Sequence, residues 1–303
     1  MVSILITAAE LKSLIESGPA HAGESASRAA NGDGRSLSGG EVRVLDVRWS
    51  LGGPAGKPLY LEGHIPTAVY VDLDTQLSRH GEPADGRHPL PTIDDLQRAA
   101  RSWGINQGDT VVVYDDLKNL SSARAWWLLR DAGIADVRLL DGSLRAWSDA
   151  GFELETGDER ALPGNVELRY GTLRTLTIDD AASLAQTGVL LDARPAERYR
   201  GEVEPIDPRA GHIPGALSAP ATMNLDVNGH FLPAGQLRAH FEAIGVRADA
   251  PVGVYCGSGV TAAADAVALT LAGFEPALYP GSWSQWSNTP GRPVELTSGV
   301  APK

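Results

Sequence analysis

Apolar runs of four to six residues recur along the chain, bounded by Gly, Pro or Asp, and longer stretches rich in Ala and Leu lie between them. The short runs read as strands buried in a parallel sheet, the longer ones as helices. Strands are predicted at 42–47, 68–71, 110–114, 137–140, 189–194 and 252–255. The capping box Thr7-Ala-Ala-Glu10 predicts a helix over 8–16, and Thr92-Ile-Asp-Asp95 and Thr177-Ile-Asp-Asp180 open two more. Helices over 123–132 and 261–272 stop on Gly133 and Gly273. Strands alternating with helices predict an α/β fold with a mainly parallel sheet. Residues 17–41 break the pattern: rich in Gly, Ala, Ser and Asn without apolar periodicity, they read as a flexible surface insertion.

The pattern occurs twice. Val189-Leu-Leu-Asp-Ala-Arg194 answers Val44-Leu-Asp-Val-Arg48, and Gly211-His-Ile-Pro214 answers Gly63-His-Ile-Pro66. The strand at 252–255 answers 111–114, Ala272-Gly273 answers Ala132-Gly133, and Pro280-Gly281-Ser282 answers Asp141-Gly142-Ser143. These matches keep their order, each about 140 to 150 residues apart. Two copies of one α/β domain are therefore expected, at 1–158 and 175–303, joined by a polar linker at 159–174.

Composition narrows the chemistry. The 303 residues suffice for two cores, and the formal charge of −12 argues against a general nucleic-acid or anionic-membrane surface. An anionic substrate must then be met by local arginines. A single cysteine, Cys256, excludes an intrachain disulfide and CxxC zinc sites and fits a reducing compartment. The N-terminus lacks the basic flank and apolar core of a signal peptide, and no apolar run reaches membrane-spanning length. A cytoplasmic protein without a metal is expected.

That cysteine opens the stretch Cys256-Gly-Ser-Gly-Val-Thr261, set between the strand at 252–255 and a helix. A Gly-rich loop there turns backbone N–H groups inward and adds the positive end of the helix dipole, which favours a thiolate. Such sites can lower a thiol pKa from about 8.5 to about 3.5–7.5. The plain alternative is a small buried apolar side chain. The first copy places Asp115 where the second has Cys256, so chemistry belongs to the second copy and the first supplies a wall of the site.

With paired Asp-x-Arg and Gly-His-Ile-Pro motifs, Asp115 opposite Cys256 and a six-residue loop, the chain resembles the tandem-domain rhodanese sulfurtransferases. The loop resembles that of the 3-mercaptopyruvate sulfurtransferases, since thiosulfate-preferring members carry Arg and Lys where this chain has Gly257 and Ser258. The resemblance implies two rhodanese-like domains, the first catalytically inactive, and no cofactor. It implies ping-pong sulfur transfer: Cys256 takes a sulfur as persulfide and passes it to a thiol, thioredoxin or cyanide. The backbone of Gly257, Gly259, Val260 and Thr261 would cradle the charge. Arg198 matches the family's substrate arginine, and Arg209 is a candidate for a second. Ser258 and His64 are candidates for a proton relay whose third member is an aspartate. No Asp lies between Val47 and Gly63, so Glu62 or another carboxylate would have to serve. The recurrence of His64 as His212 offers a structural reading of both. Trp49 and Tyr114 are candidates to line the donor pocket or to pack the core.

Three other readings compete. A cysteine-dependent phosphatase needs an arginine six positions after the cysteine, where this chain has Ala262. A thiosulfate:cyanide sulfurtransferase shares the fold and the intermediate and differs in donor. A sulfur carrier or interaction scaffold would hold sulfur without efficient turnover of a small donor.

Overall fold

A computed structural model describes residues 3–17 and 40–297. All but the ends of the predicted insertion at 17–41 lie outside them. The first half runs β1 (Leu5–Ile6), α1 (Ala8–Ser17), β2 (Val42–Asp46), α2 (Gly56–Glu62), β3 (Val69–Tyr70), α3 (Leu73–Gln76), α4 (Ile93–Ser102), β4 (Thr110–Tyr114), α5 (Ser122–Asp131), β5 (Val137–Leu140) and α6 (Ser143–Asp149). The second repeats it as β6 (Arg174–Thr175), α7 (Ile178–Thr187), β7 (Val189–Asp192), α8 (Ala196–Arg200), β8 (Leu217–Ser218), α9 (Ala234–Ala243), β9 (Val252–Tyr255), α10 (Ala262–Leu271), β10 (Ala277–Leu278) and α11 (Ser282–Asn288). Each half forms a parallel five-stranded sheet, in the orders β1-β5-β4-β2-β3 and β6-β10-β9-β7-β8. The central strands are continuous Val-rich runs because helices cover both faces.

The repeated motifs are fold-building devices. Asp46 and Asp192 each receive the backbone N–H and guanidinium of the arginine two residues on, at 2.6–3.2 Å. Those arginines, Arg48 and Arg194, then donate to the carbonyls of Gly63 and Gly211. The buried charge is thus paired and its remaining donors spent, the condition for tolerating an ion pair inside a fold. The hydroxyls of Tyr114 and Tyr255 accept the N–H of Ile65 and Ile213 in the same motifs.

One hydrophobic core crosses from one half to the other, where α5 packs on α10. Five alanines of α10, at 262, 263, 264, 266 and 268, are buried there, and their small side chains let the helices approach closely. The run predicted as linker is strapped to the first half: Gly164, Val166 and Arg169 donate backbone N–H groups to Arg101, Ile105 and Ala132, and Val166 and Leu168 are buried. Its polar composition hid these anchors.

Asp265 on α10 is fully buried, with Oδ1 accepting Asn224 Nδ2 at 2.7 Å, while Asp265 Oδ2 and Asn224 Oδ1 have no partner among the described residues. Burial first, then the charge of Asp192, pushes this carboxyl well above the usual range. A raised folded pKa means the native state keeps a proton that the unfolded chain releases near pH 4. Its stability contribution is full below that pH and lost as pH rises towards the folded value. Asp265→Asn is therefore expected to stabilise the protein at pH 8 by about 1–3 kcal/mol, and by less at pH 5. Thermal melts at both values check this, and an unchanged or lower Tm at pH 8 would refute it.

Candidate active site

Strand β9 is buried along its length and delivers Cys256 to the carboxyl end of the second sheet, where ligands of parallel α/β folds sit. The following α11 segment tethers the loop. Ser282 Oγ accepts the N–H of Cys256 at 3.1 Å, and the N–H groups of Trp283 and Ser284 reach the carbonyls of Cys256 and Gly257 at 2.9 and 2.8 Å. With these carbonyls turned outward, Gly259 N–H points at Cys256 Sγ at 3.2 Å. Gly259 has φ +79°, and a Cβ there would lie 2.4 Å from the Pro280 carbonyl oxygen, so no larger residue fits.

The first half shows what such a loop holds. Asp115, in the place of Cys256, accepts five hydrogen bonds of 2.8–2.9 Å, from the N–H groups of Leu117, Asn119, Ser121 and Ser122 and the hydroxyl of Ser143. It is a fixed anion in an anion cradle. The second copy offers a thiol in that place and leaves room above it.

The room is a narrow pocket of about 90 Å³ whose walls include Trp49, Arg87, Arg198, Cys256, Gly257, Ser258 and Thr261. Trp49 and Arg87 come from the first half, which therefore supplies a wall of the site. Tyr114 is buried in the core instead. Val260 is buried at the base of the loop, and its carbonyl accepts Ala263 N–H as the helix begins. Arg198 on α8 donates through Nη2 to Glu204 at 2.6 Å and to Asp207 at 3.3 Å, while its Nε is buried without a partner among the described residues.

Ser258 Oγ lies 2.7 Å from Nδ1 of His88, a first-half residue. His88 Nε2 faces Asp74 Oδ1 at 3.5 Å, and Trp49 Nε1 donates to that same oxygen at 3.0 Å. Asp74 is half exposed and beyond hydrogen-bond length, so it orients His88 more than it binds it. Burial, then the positive charges of Arg124 and Arg87, pushes His88 down to about 3, so the ring is neutral near pH 7. With Nε2 towards a carboxylate, the network places the ring proton on Nε2 and leaves Nδ1 to accept the Ser258 hydroxyl. The backbone of His88 is held in turn, since Arg124 donates to its carbonyl at 2.9 Å and to that of Gly259 at 3.1 Å.

Two expected site residues are elsewhere. His64 is buried against its own motif: Nδ1 contacts the Tyr60 carbonyl at 2.9 Å and the ring stacks on Tyr60 at 4.1 Å. His212 repeats this on Tyr199, at 2.8 and 3.8 Å, in the copy that carries the cysteine. One geometry in both copies fits a chain-turning role, and the histidine within reach of Ser258 is His88. The carboxylate nearest His88 is Asp74, which follows Gly63 in the chain, and Glu62 does not line the pocket. Arg209 donates to the carbonyls of Trp286, Ser287 and Arg292, at 2.7–2.9 Å, and so clamps the end of α11 to the segment that follows it. Arg209 is not among the residues that line the pocket beside Cys256.

Sequence reading missed Arg87, His88 and Asp74, although a signal existed: His88-Pro-Leu-Pro91 is answered by His230-Phe-Leu-Pro233. Each of these segments reaches across to the other half's loops. His230 lies against Gly142, where an added Cβ would meet Nε2 at 2.6 Å, and Phe231 N–H donates to Asp141.

A model of the rhodanese-like domain matches residues 34–150 and again 177–289. The chain is 48% identical over 270 residues to a Pseudomonas aeruginosa protein named "Probable 3-mercaptopyruvate sulfurtransferase", covering 85% of this chain and 93% of that one. It is 46% identical over 296 residues to the "Putative thiosulfate sulfurtransferase SseB" of Mycobacterium tuberculosis, covering 96% of each. The crystal structure of the Escherichia coli 3-mercaptopyruvate sulfotransferase SseA superposes with a TM-score of 0.77 at 32% identity, over 93% of this chain and 99% of that one. Two parallel sheets, the cysteine loop in one and its aspartate counterpart in the other agree with these likenesses: the chain belongs to the rhodanese-like domain family, in two copies.

Proposed function

We propose that this sulfurtransferase draws sulfur from 3-mercaptopyruvate, carries it as a persulfide on Cys256 and passes it to a thiol such as thioredoxin or to cyanide. Residues 175–303 are the catalytic unit, 1–158 the inactive copy that brings His88 and Arg87, and 159–174 the connection. A single cysteine without a disulfide partner supports a reducing, cytoplasmic setting.

The observation that carries the choice of donor is the 2.7 Å contact between Ser258 and His88 beside the cysteine. Attack by the Cys256 thiolate forms an S–S bond as the donor's C–S bond breaks, and the electron pair passes to the three-carbon fragment as an enolate. That fragment needs a proton at its terminal carbon to leave as pyruvate. The donor's own thiol proton supplies it, accepted by His88 through Ser258 and returned to carbon. With its pKa held down, an imidazolium at this position is a strong acid and keeps the proton only briefly. Thiosulfate, by contrast, releases sulfite, a stable anion that requires no proton. Arg198, its Nε unpaired, anchors the donor's carboxylate.

The name of the Mycobacterium tuberculosis relative favours thiosulfate as the second reading. Steady-state kinetics on both donors, with one acceptor, separates them. The expected result is a kcat/KM for 3-mercaptopyruvate above that for thiosulfate; the reverse order would overturn the choice of donor.

A further inference from the structure

Above Gly257 two guanidinium groups converge from opposite halves of the chain. A Cβ at Gly257 would lie 3.4 Å from Arg87 Nη2 and 3.5 Å from Arg198 Nη1. Asp207 joins the two, accepting Arg87 Nη1 at 2.8 Å on one oxygen and Arg198 Nη2 at 3.3 Å on the other. Even with Glu204 accepting Arg198 Nη2 at 2.6 Å, the two carboxylates do not satisfy both forks, and Arg87 Nε, Arg87 Nη2 and Arg198 Nε are buried without partners among the described residues. Buried guanidinium N–H groups are normally paired, so three donor nitrogens with capacity to spare around one pocket suit an anionic ligand. The Arg87 backbone is fixed to the second half, since its N–H donates to Ser284 Oγ at 3.0 Å, next to the residue whose N–H holds the Cys256 carbonyl.

We infer that Arg87 is a donor-specificity residue: with Arg198 it forms a two-sided guanidinium pincer for the carboxylate of an α-keto acid, closed from the first half over the floor that Gly257 leaves open. The pincer replaces the basic side chains that the loop itself lacks. Because Arg87 precedes His88 in the chain, the anion it grips is set beside the ring that handles the donor's proton. This inference rests on the proposed donor, yet the anion site can be read without that donor.

Cys256 is the only thiol in the chain, so its alkylation is unambiguous. Iodoacetate and iodoacetamide are near in size and differ in charge. The ratio of their rates on the wild-type protein is expected to exceed that on Arg87→Gln by about tenfold, the weight of a charge-assisted hydrogen bond. Pyruvate should slow alkylation of the wild type and not of the variant. With 3-mercaptopyruvate, Arg87→Gln should raise KM about tenfold with kcat within about threefold, and Arg87→Lys should fall between, since it keeps charge and loses the fork. An unchanged iodoacetate-to-iodoacetamide ratio in Arg87→Gln, with or without a lower Tm, would reduce Arg87 to a strut for Asp207 and overturn the inference. Should Arg87→Gln fail to fold, the ratio in Arg87→Lys decides on the same terms. If the wild type ignores 3-mercaptopyruvate but the ratio falls as expected, the donor proposal fails and the anion pincer stands.

Discussion

Cys256→Ser is expected to abolish sulfur transfer from every donor while leaving the fold intact. The side chain is almost wholly buried, and its backbone is held by Ser282 and Trp283 through bonds that do not involve sulfur. A hydroxyl fills nearly the same space and accepts from Gly259 N–H as the thiol does, so stability should change by no more than about 1 kcal/mol. Chemistry suffers far more, because a serine hydroxyl is barely ionised near pH 7 and forms no persulfide. Activity assays on 3-mercaptopyruvate and thiosulfate, with a thermal melt as control, check this. Residual turnover above background would move the sulfur off Cys256.

Removing the proton pathway should have an effect that depends on the donor. His88→Gln and Ser258→Ala are each expected to lower kcat for 3-mercaptopyruvate by about 10²–10⁴-fold, the range for a lost acid–base group, and to change thiosulfate turnover only a few-fold. The double variant should cost little more than either alone, since the two act as one unit. His64→Gln should affect both donors alike, through stability, because His64 supports its motif and faces no substrate. The pH profile carries a further check. His88 is held down to about 3, so it should not produce an acid limb near its ordinary value of about 6.5 in the wild-type profile. Equal losses on both donors in His88→Gln would mean that the residue only holds the pocket together.

Much of the fold was legible because strands and repeats are local signals. The Val-rich runs and their recurrence predicted two parallel sheets, and the Asp115–Cys256 contrast pointed to the second loop as the candidate site. The contacts of His88 were not legible by the same route. They depend on a segment of the first half crossing to a loop 170 residues away, and periodicity carries no trace of such a crossing. His64 drew attention because it sits in a conspicuous motif. Its repetition at His212 was the warning, since a feature common to the copy with the cysteine and the copy without it serves what they share, the fold. Arg209 misled in a different way. An arginine near the expected place is recognisable from sequence, but whether its donors are free is decided by carbonyls some 80 residues away. Arg87 went unnoticed because a lone arginine in a polar loop has no pattern; only its unpaired N–H groups in the folded pocket distinguish it.

The central claim is that Cys256 carries the sulfur between donor and acceptor. Intact-protein and peptide mass spectrometry after brief incubation with 3-mercaptopyruvate, without acceptor, tests it most directly. The expected result is a gain of one sulfur atom on the peptide containing Cys256, formed as pyruvate accumulates in equal amount and lost again when a thiol or cyanide is added. A folded, unmodified Cys256 after exposure to both donors, or sulfur that no acceptor removes, would contradict it and leave a binding scaffold in place of an enzyme.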